Sequence, residues 1–202
     1  MRAVRPYGPV AFLLECLPDE AVDLHSALLA GDLAVAGIVQ TIPGAESLLV
    51  ECTSVATARE AARLLAVADA PPLRRAVREH VIPVRYDGLD LAAVASSHDL
   101  SVDEVIDLHT ASICTVALTG FAPGFAYLRG LDARLATPRL ASPRPSVPAG
   151  SVAIGGPWTG VYPRSGPGGW NLLGTTDYPL WDLGSEPPAL LQLGDTVRFR
   201  PC

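Results

Sequence analysis

Residues 113–174 contain eleven of the chain's eighteen glycines and eight of its nineteen prolines. That density excludes long helices, because proline removes a backbone donor and clashes with the preceding turn, while glycine gives up the most backbone freedom on ordering. Short β segments joined by tight turns are what remains. Residues 113–118, 151–154, 159–162 and 170–173 read as strands, and residues 190–199 read as a strand, a Gly194-Asp195 turn and a second strand. A small β-barrel with irregular loops fits this half.

The first half has a different grammar. Residues 10–16 form an apolar run closed by Pro18. Residues 19–30 then place Ala21, Leu24, Leu28 and Leu29 on one helical face, and Gly31 ends the helix. Residues 35–42 and 47–52 read as a hairpin across Pro43-Gly44-Ala45-Glu46. Residues 56–68 form a second helix that starts beside hydroxyl residues, and Pro71-Pro72 breaks the pattern. A fourth strand is expected over 80–86. The resulting order, βαββαβ, predicts a ferredoxin-like domain over 1–87. Helices over 89–96 and 101–110 follow, the second opened by the capping box Ser101-Val102-Asp103-Glu104. They would bridge to a barrel domain and share its span of 88–202, so the fold class is α+β.

The 202 residues are 49% hydrophobic and 18% charged, enough apolar material for a real core and too much for a disordered chain. No apolar run approaches the ~20 residues of a membrane span, and the first residues do not resemble a secretory signal, so a cytoplasmic protein without a membrane role is expected. All fifteen basic residues are arginine. Without lysine there is no Schiff base, no phosphate-loop lysine and no Ser-x-x-Lys pair. The four cysteines form no C-x-x-C pair, and the four histidines show no metal-binding spacing, so no metal site is expected. The arginines are unevenly placed. Residues 108–176 carry five of them against the single acid Asp132, a local charge of +4 in a chain of −6. A basic patch on an acidic protein is a poor nucleic-acid footprint and suits a small anion or an acidic surface better.

Three segments could carry chemistry. Gly120-Phe121-Ala122-Pro123-Gly124-Phe125-Ala126-Tyr127 is a rigid aromatic loop that either packs into the barrel or walls a ligand site. In residues 138–151, prolines stiffen a segment holding Arg139 and Arg144 ahead of Gly150 and Ser151. Stiffening lowers the entropy lost when a guanidinium grips a carboxylate, although both arginines could equally be surface residues. Residues 162–174 hold Tyr162, Gly168, Gly169 and Trp170. The two glycines could turn backbone amides toward an anion, as a weak phosphate signal. His109, at a helix end, and Asp132 are the candidate acid–base residues. A capping histidine and an ion-paired aspartate are the plainer readings of that pair.

Taken together, Gly120 to Leu135, Pro138 to Val152 and Thr159 to Gly174 resemble the family that holds the B-type subunits of 5-oxoprolinase, allophanate hydrolase subunit 1 and the KipI-type kinase inhibitors. That family is related to the carboxyltransferase subdomains C and D. Trp158 stands where the family pattern has glutamine, and Thr175-Thr176-Asp177 replaces Gly-Arg-Thr-Pro. The resemblance implies an α/β domain joined to a cyclophilin-like barrel. It also implies an ATP-dependent hydrolase complex, with C-like (KipA-type) and A-like partner subunits, that opens 5-oxoproline to glutamate. ATP would be used by the assembled complex, with no biotin on this chain. Under that reading Arg139 and Arg144 bind a carboxylate, and Tyr127 and Trp170 wall the site. The resemblance also leaves open a kinase-inhibiting module and a urea-linked carboxyltransferase role.

Overall fold

The computed structural model describes residues 1–69 and 77–202. It divides into two compact units, Met1–Ala76 and Val77–Cys202. The Pro71-Pro72 break lies outside the described residues.

In the first unit, β1 (Val4–Pro6), β2 (Ala11–Glu15), β3 (Ile38–Pro43) and β4 (Ser47–Cys52) form an antiparallel sheet in the order β1-β2-β4-β3. Alternation decides which face is buried. Phe12 and Leu14 lie opposite Val50 and Leu48 in register, and all four point inward. Two helices cover that face. They are α1 (Pro18–Ala30), ended by Gly31 in the left-handed conformation, and α2 (Val55–Leu65), whose first turn is capped where the Ser54 hydroxyl accepts from the Thr57 N–H. Leu24, Ala61 and Leu65 are fully buried against the sheet. Each such leucine contributes roughly 1.5–3 kcal/mol.

The second unit contains β5 (Glu79–Val84), α3 (Leu91–Ser97), α4 (Val102–Ala111), β6 (Cys114–Thr119), β7 (Ala126–Arg129) and a 3-10 turn at Ala133–Leu135. There follow β8 (Arg144–Val147), β9 (Ser151–Gly155), β10 (Trp158–Val161), β11 (Gly166–Gly168), β12 (Asn171–Thr175) and β13 (Thr196–Pro201). Seven strands form one sheet in the order β12-β9-β10-β7-β6-β13-β5. Its two edges meet. Arg85 and Thr175 exchange both backbone hydrogen bonds, at 2.9 and 2.8 Å, so the sheet nearly closes into a barrel. Gly174 permits this approach, because a Cβ there would strike the Arg85 carbonyl. Ile82, Val116, Leu128, Val152 and Phe199 fill the interior. Leu91, Val94 and Val105 of the two helices pack with Ile154 and Leu173 of the sheet. β8 and β11 pair separately as a two-stranded ribbon.

The strand expected over 80–86 exists, but its place differs from expectation. β5 runs parallel to β13 in the barrel sheet, Val197 opposite His80 and Phe199 opposite Ile82. In the first sheet the edge beside β2 is occupied by β1 instead. The expected boundary at 87/88 accordingly differs from the division after Ala76. The physical reason is that a half-buried strand advertises its periodicity and not its partner. The architecture is therefore a mixed α/β chain with a helix-covered antiparallel sheet and a nearly closed barrel.

Candidate functional site

Trp170 sits between β11 and β12, 4% exposed, and organises the aromatic side of the barrel unit. The rings of Phe125 and Tyr127 each meet it edge-on at 5.5 Å, and Tyr162 meets Phe125 at 5.4 Å. Trp158 lies 6.2 Å from Tyr127. The indole has room because residue 155 is glycine; a Cβ there would fall 2.6 Å from Trp170 Cδ1. On the other side the Arg139 guanidinium carbon stands 5.9 Å from the indole centroid, a cation–π contact of about 0.5–2 kcal/mol. Arg139 is exposed and, among the described residues, has no carboxylate partner.

Arg144 is held differently. Its Nη2 lies 2.6 Å from Asp90 Oδ1, and Nη1 donates to the Trp170 carbonyl at 3.4 Å. The other oxygen of Asp90 accepts from the Leu172 N–H at 2.7 Å. Asp90 thus satisfies the arginine and the backbone beside Trp170 together. Arg144 already has a carboxylate from within the fold, which opposes the expectation that it grips one from a ligand.

The remaining expected residues surround Tyr162. Gly150 donates its N–H to the Tyr162 carbonyl at 2.7 Å, and the Ser151 carbonyl accepts from the Tyr162 N–H at 2.9 Å. Gly168 backs onto the Tyr162 hydroxyl, and the Gly169 carbonyl accepts from the Leu140 N–H. Neither Gly168 nor Gly169 has the left-handed backbone that a two-residue anion nest uses. Burial pushes the Tyr162 phenol up, while a backbone hydrogen bond at Trp170 and the charges of Arg139 and Arg144 oppose the shift.

Two clefts flank this cluster. The larger, about 540 Å³, lies between residues 119–125 and residues 181–193, with Gly120, Phe121, Pro123 and Gly124 on one wall and Trp181, Leu191 and Gln192 on the other. Phe121 holds φ at 67° and is 57% exposed. A bulky residue in the left-handed region at a cleft wall is stored strain of the kind found at binding loops. The smaller cleft, about 320 Å³, is lined by Gly150, Tyr162, Thr176, Asp177, Tyr178 and Trp181 among others. Trp181 belongs to both. Of this wall, residues 178–189 escaped sequence reasoning because they lack periodicity, and residues 190–193, expected as a strand, are irregular, the strand beginning only at Thr196.

His109 and Asp132 lie outside this assembly. His109 is completely buried, stacked on Phe199 at 4.3 Å. Its Nδ1 meets the Tyr86 hydroxyl at 2.8 Å and its Nε2 meets the Thr159 hydroxyl at 2.9 Å. Burial pushes its pKa down to about 3, so the imidazole is neutral near pH 7. Asp132 caps the 3-10 turn through the Arg134 N–H and pairs with the Arg134 guanidinium, which holds the carboxyl below its usual range. Both therefore serve local structure: one sealed in the core, the other spent on a surface ion pair. Among the described residues, no group of three or more His, Cys, Asp and Glu side chains could hold a metal ion, and no helix is long and apolar enough to cross a membrane.

A family model described as carboxyltransferase domain, subdomain C and D, matches residues 3–191. The B subunit of 5-oxoprolinase from Haemophilus influenzae is 51% identical over 121 residues, which are 58% of this chain and 57% of that protein. The protein of the same name in Bacillus subtilis is 49% identical over 140 residues, 68% of this chain and 58% of that one. The chain spans somewhat over half the length of these curated relatives. The crystal structure of TTHA0988 superposes with a TM-score of 0.79 at 37% identity, covering 96% of this chain and 40% of that chain. A match that runs through both compact units and all three glycine-rich motifs shows that the chain belongs to the carboxyltransferase domain, subdomain C and D, family.

Proposed function

We propose that this chain is the B subunit of an ATP-dependent 5-oxoprolinase, acting in the cytoplasm with A-like and C-like partner subunits. The observation that carries the reading is the exposed Arg139 guanidinium, held over the Trp170 face and, among the described residues, without a carboxylate of its own. A cation in that setting suits the carboxylate of a small cyclic amide. Tyr127, Tyr162 and Trp170 supply the apolar wall, and Gly150, Ser151, Gly168 and Gly169 hold Tyr162 and the adjoining backbone in place. Arg144, occupied by Asp90, positions Trp170. The barrel is read as cyclophilin-like and the first unit as ferredoxin-like in shape, with β1 taking the fourth strand's place; neither label implies isomerase or redox chemistry. ATP enters through the partners, since this sequence has no nucleotide-binding loop.

The test is 5-oxoproline-dependent ATP hydrolysis by the purified three-subunit mixture, with each component omitted in turn. Activity that requires all three is expected. Within the active complex, Arg139→Ala should raise the KM for 5-oxoproline about tenfold or more, the loss of one charge-assisted contact. An unchanged KM would remove Arg139 from the site, and a complex active without this chain would end the reading.

A further inference from the structure

Behind the smaller cleft runs a line of three polar side chains drawn from distant parts of the sequence. Asp195 is fully buried. Its Oδ1 accepts from the Arg78 N–H at 3.1 Å, and its Oδ2 accepts from the Gln192 N–H at 2.8 Å. His80, 6% exposed, places Nε2 at 3.2 Å from Asp195 Oδ2 and Nδ1 at 3.3 Å from the Tyr178 hydroxyl. An ionised carboxylate only accepts, so Nε2 carries the hydrogen. In that tautomer Nδ1 accepts from the phenol. Tyr178 lines the cleft beside Gly150, Tyr162 and Trp181. With its proton directed at His80, the phenolic oxygen offers its lone pairs elsewhere.

We propose that Tyr178 is the proton-transfer residue of this site, with His80 and Asp195 as positioning residues that relay its proton. The proposal rests on the function proposed above and supplies the acid–base group that reading lacks. As a water oxygen bonds to the amide carbon, the C=O π pair moves onto the carbonyl oxygen, one O–H bond of the water breaks and that proton passes to the Tyr178 oxygen. The Tyr178 proton moves at the same time to His80 Nδ1, and the Asp195 carboxylate faces the resulting imidazolium. As the oxyanion pair re-forms the C=O bond, the C–N bond breaks and its electron pair stays on nitrogen. The relay then runs backward, delivering the proton to that nitrogen and restoring a neutral His80. Burial raises the Tyr178 phenol above its usual range, which disfavours a standing tyrosinate and suits a concerted transfer.

Two measurements test this. In the isolated chain, nitrogen-15 NMR should show His80 in the Nε2–H tautomer, with a Nδ1 resonance that moves in Tyr178→Phe. An Nδ1–H tautomer would overturn the relay. In the assembled complex, Tyr178→Phe should lower kcat for 5-oxoproline-dependent ATP hydrolysis about 100-fold or more, with KM within about threefold of the unmodified value. His80→Gln should also lower kcat while leaving KM alone. An active complex indifferent to Tyr178→Phe overturns the relay and leaves the function reading intact. An unmodified complex inactive on 5-oxoproline overturns that reading, and with it the assignment of Tyr178 to that reaction.

Discussion

The barrel unit contains two tyrosine–histidine lines with the same connectivity and different ends. In each, a phenol meets Nδ1 of an imidazole, Tyr86 with His109 and Tyr178 with His80. His109 then meets the Thr159 hydroxyl, which itself donates to the Ala153 carbonyl at 3.1 Å. His80 meets the buried carboxylate of Asp195. A hydroxyl cannot balance a positive imidazole in a sealed core, whereas a carboxylate can. The first line is structural for that reason. The second has both a counter-charge and a cleft at its tyrosine end. The terminal acceptor and the access, more than the histidine itself, separate packing from chemistry.

The largest test of this contrast uses pH. His109 titrates near 3 when folded and near 6.5 when free, so as pH falls below 6.5 the unfolded chain binds a proton that the folded chain refuses. Stability attributable to this residue is complete above pH 6.5 and is lost toward pH 3, at about 1.4 kcal/mol per pH unit. Urea unfolding between pH 6 and 4 should approach that slope, and His109→Gln should remove it. A slope that survives the substitution would mean that another group, such as the partly buried His25, carries it. Next in size, Tyr86→Phe leaves His109 Nδ1 without its donor and should cost about 1–3 kcal/mol of stability with kcat unchanged. A fall in kcat comparable to that of Tyr178→Phe would erase the distinction between the two lines. Smallest of all, Asp132→Ala removes a surface pair with Arg134 together with the cap of the 3-10 turn, and should cost at most about 1 kcal/mol of stability while leaving kcat within experimental scatter. A marked loss would return Asp132 to the catalytic candidates.

What could be read from the sequence divides along range of interaction. α1, α2 and the β3–β4 hairpin were legible because apolar spacing, the Gly31 cap and the Pro43-Gly44 turn act within a few residues. The strand at β5 was legible for the same reason. Its partner was not, because His80, Ile82 and Val84 would alternate identically in either sheet. The aromatic loop and the Trp170 motif were marked by residue type, and the structure brings them together. The Arg144–Asp90 pair was not legible because the two residues lie 54 positions apart. The Tyr178 line was invisible for a similar reason. His80 stood without metal-type spacing, Asp195 looked like a turn residue, and 115 residues separate them.

The order in which the barrel can be assembled follows from its closing edge. β13 lies between β6 and β5, so β5, the first strand of the unit to leave the ribosome, has no partner on that side until residues 196–201 have been made. Its remaining sheet contact, the bridge from Arg85 to Thr175, also waits on late residues. Contacts separated by more than a hundred residues form slowly and leave strand edges exposed meanwhile. The helix-covered first unit can fold early during synthesis, while the barrel and the line from Asp195 to Tyr178 are completed together, by the last strand of the sheet to arrive.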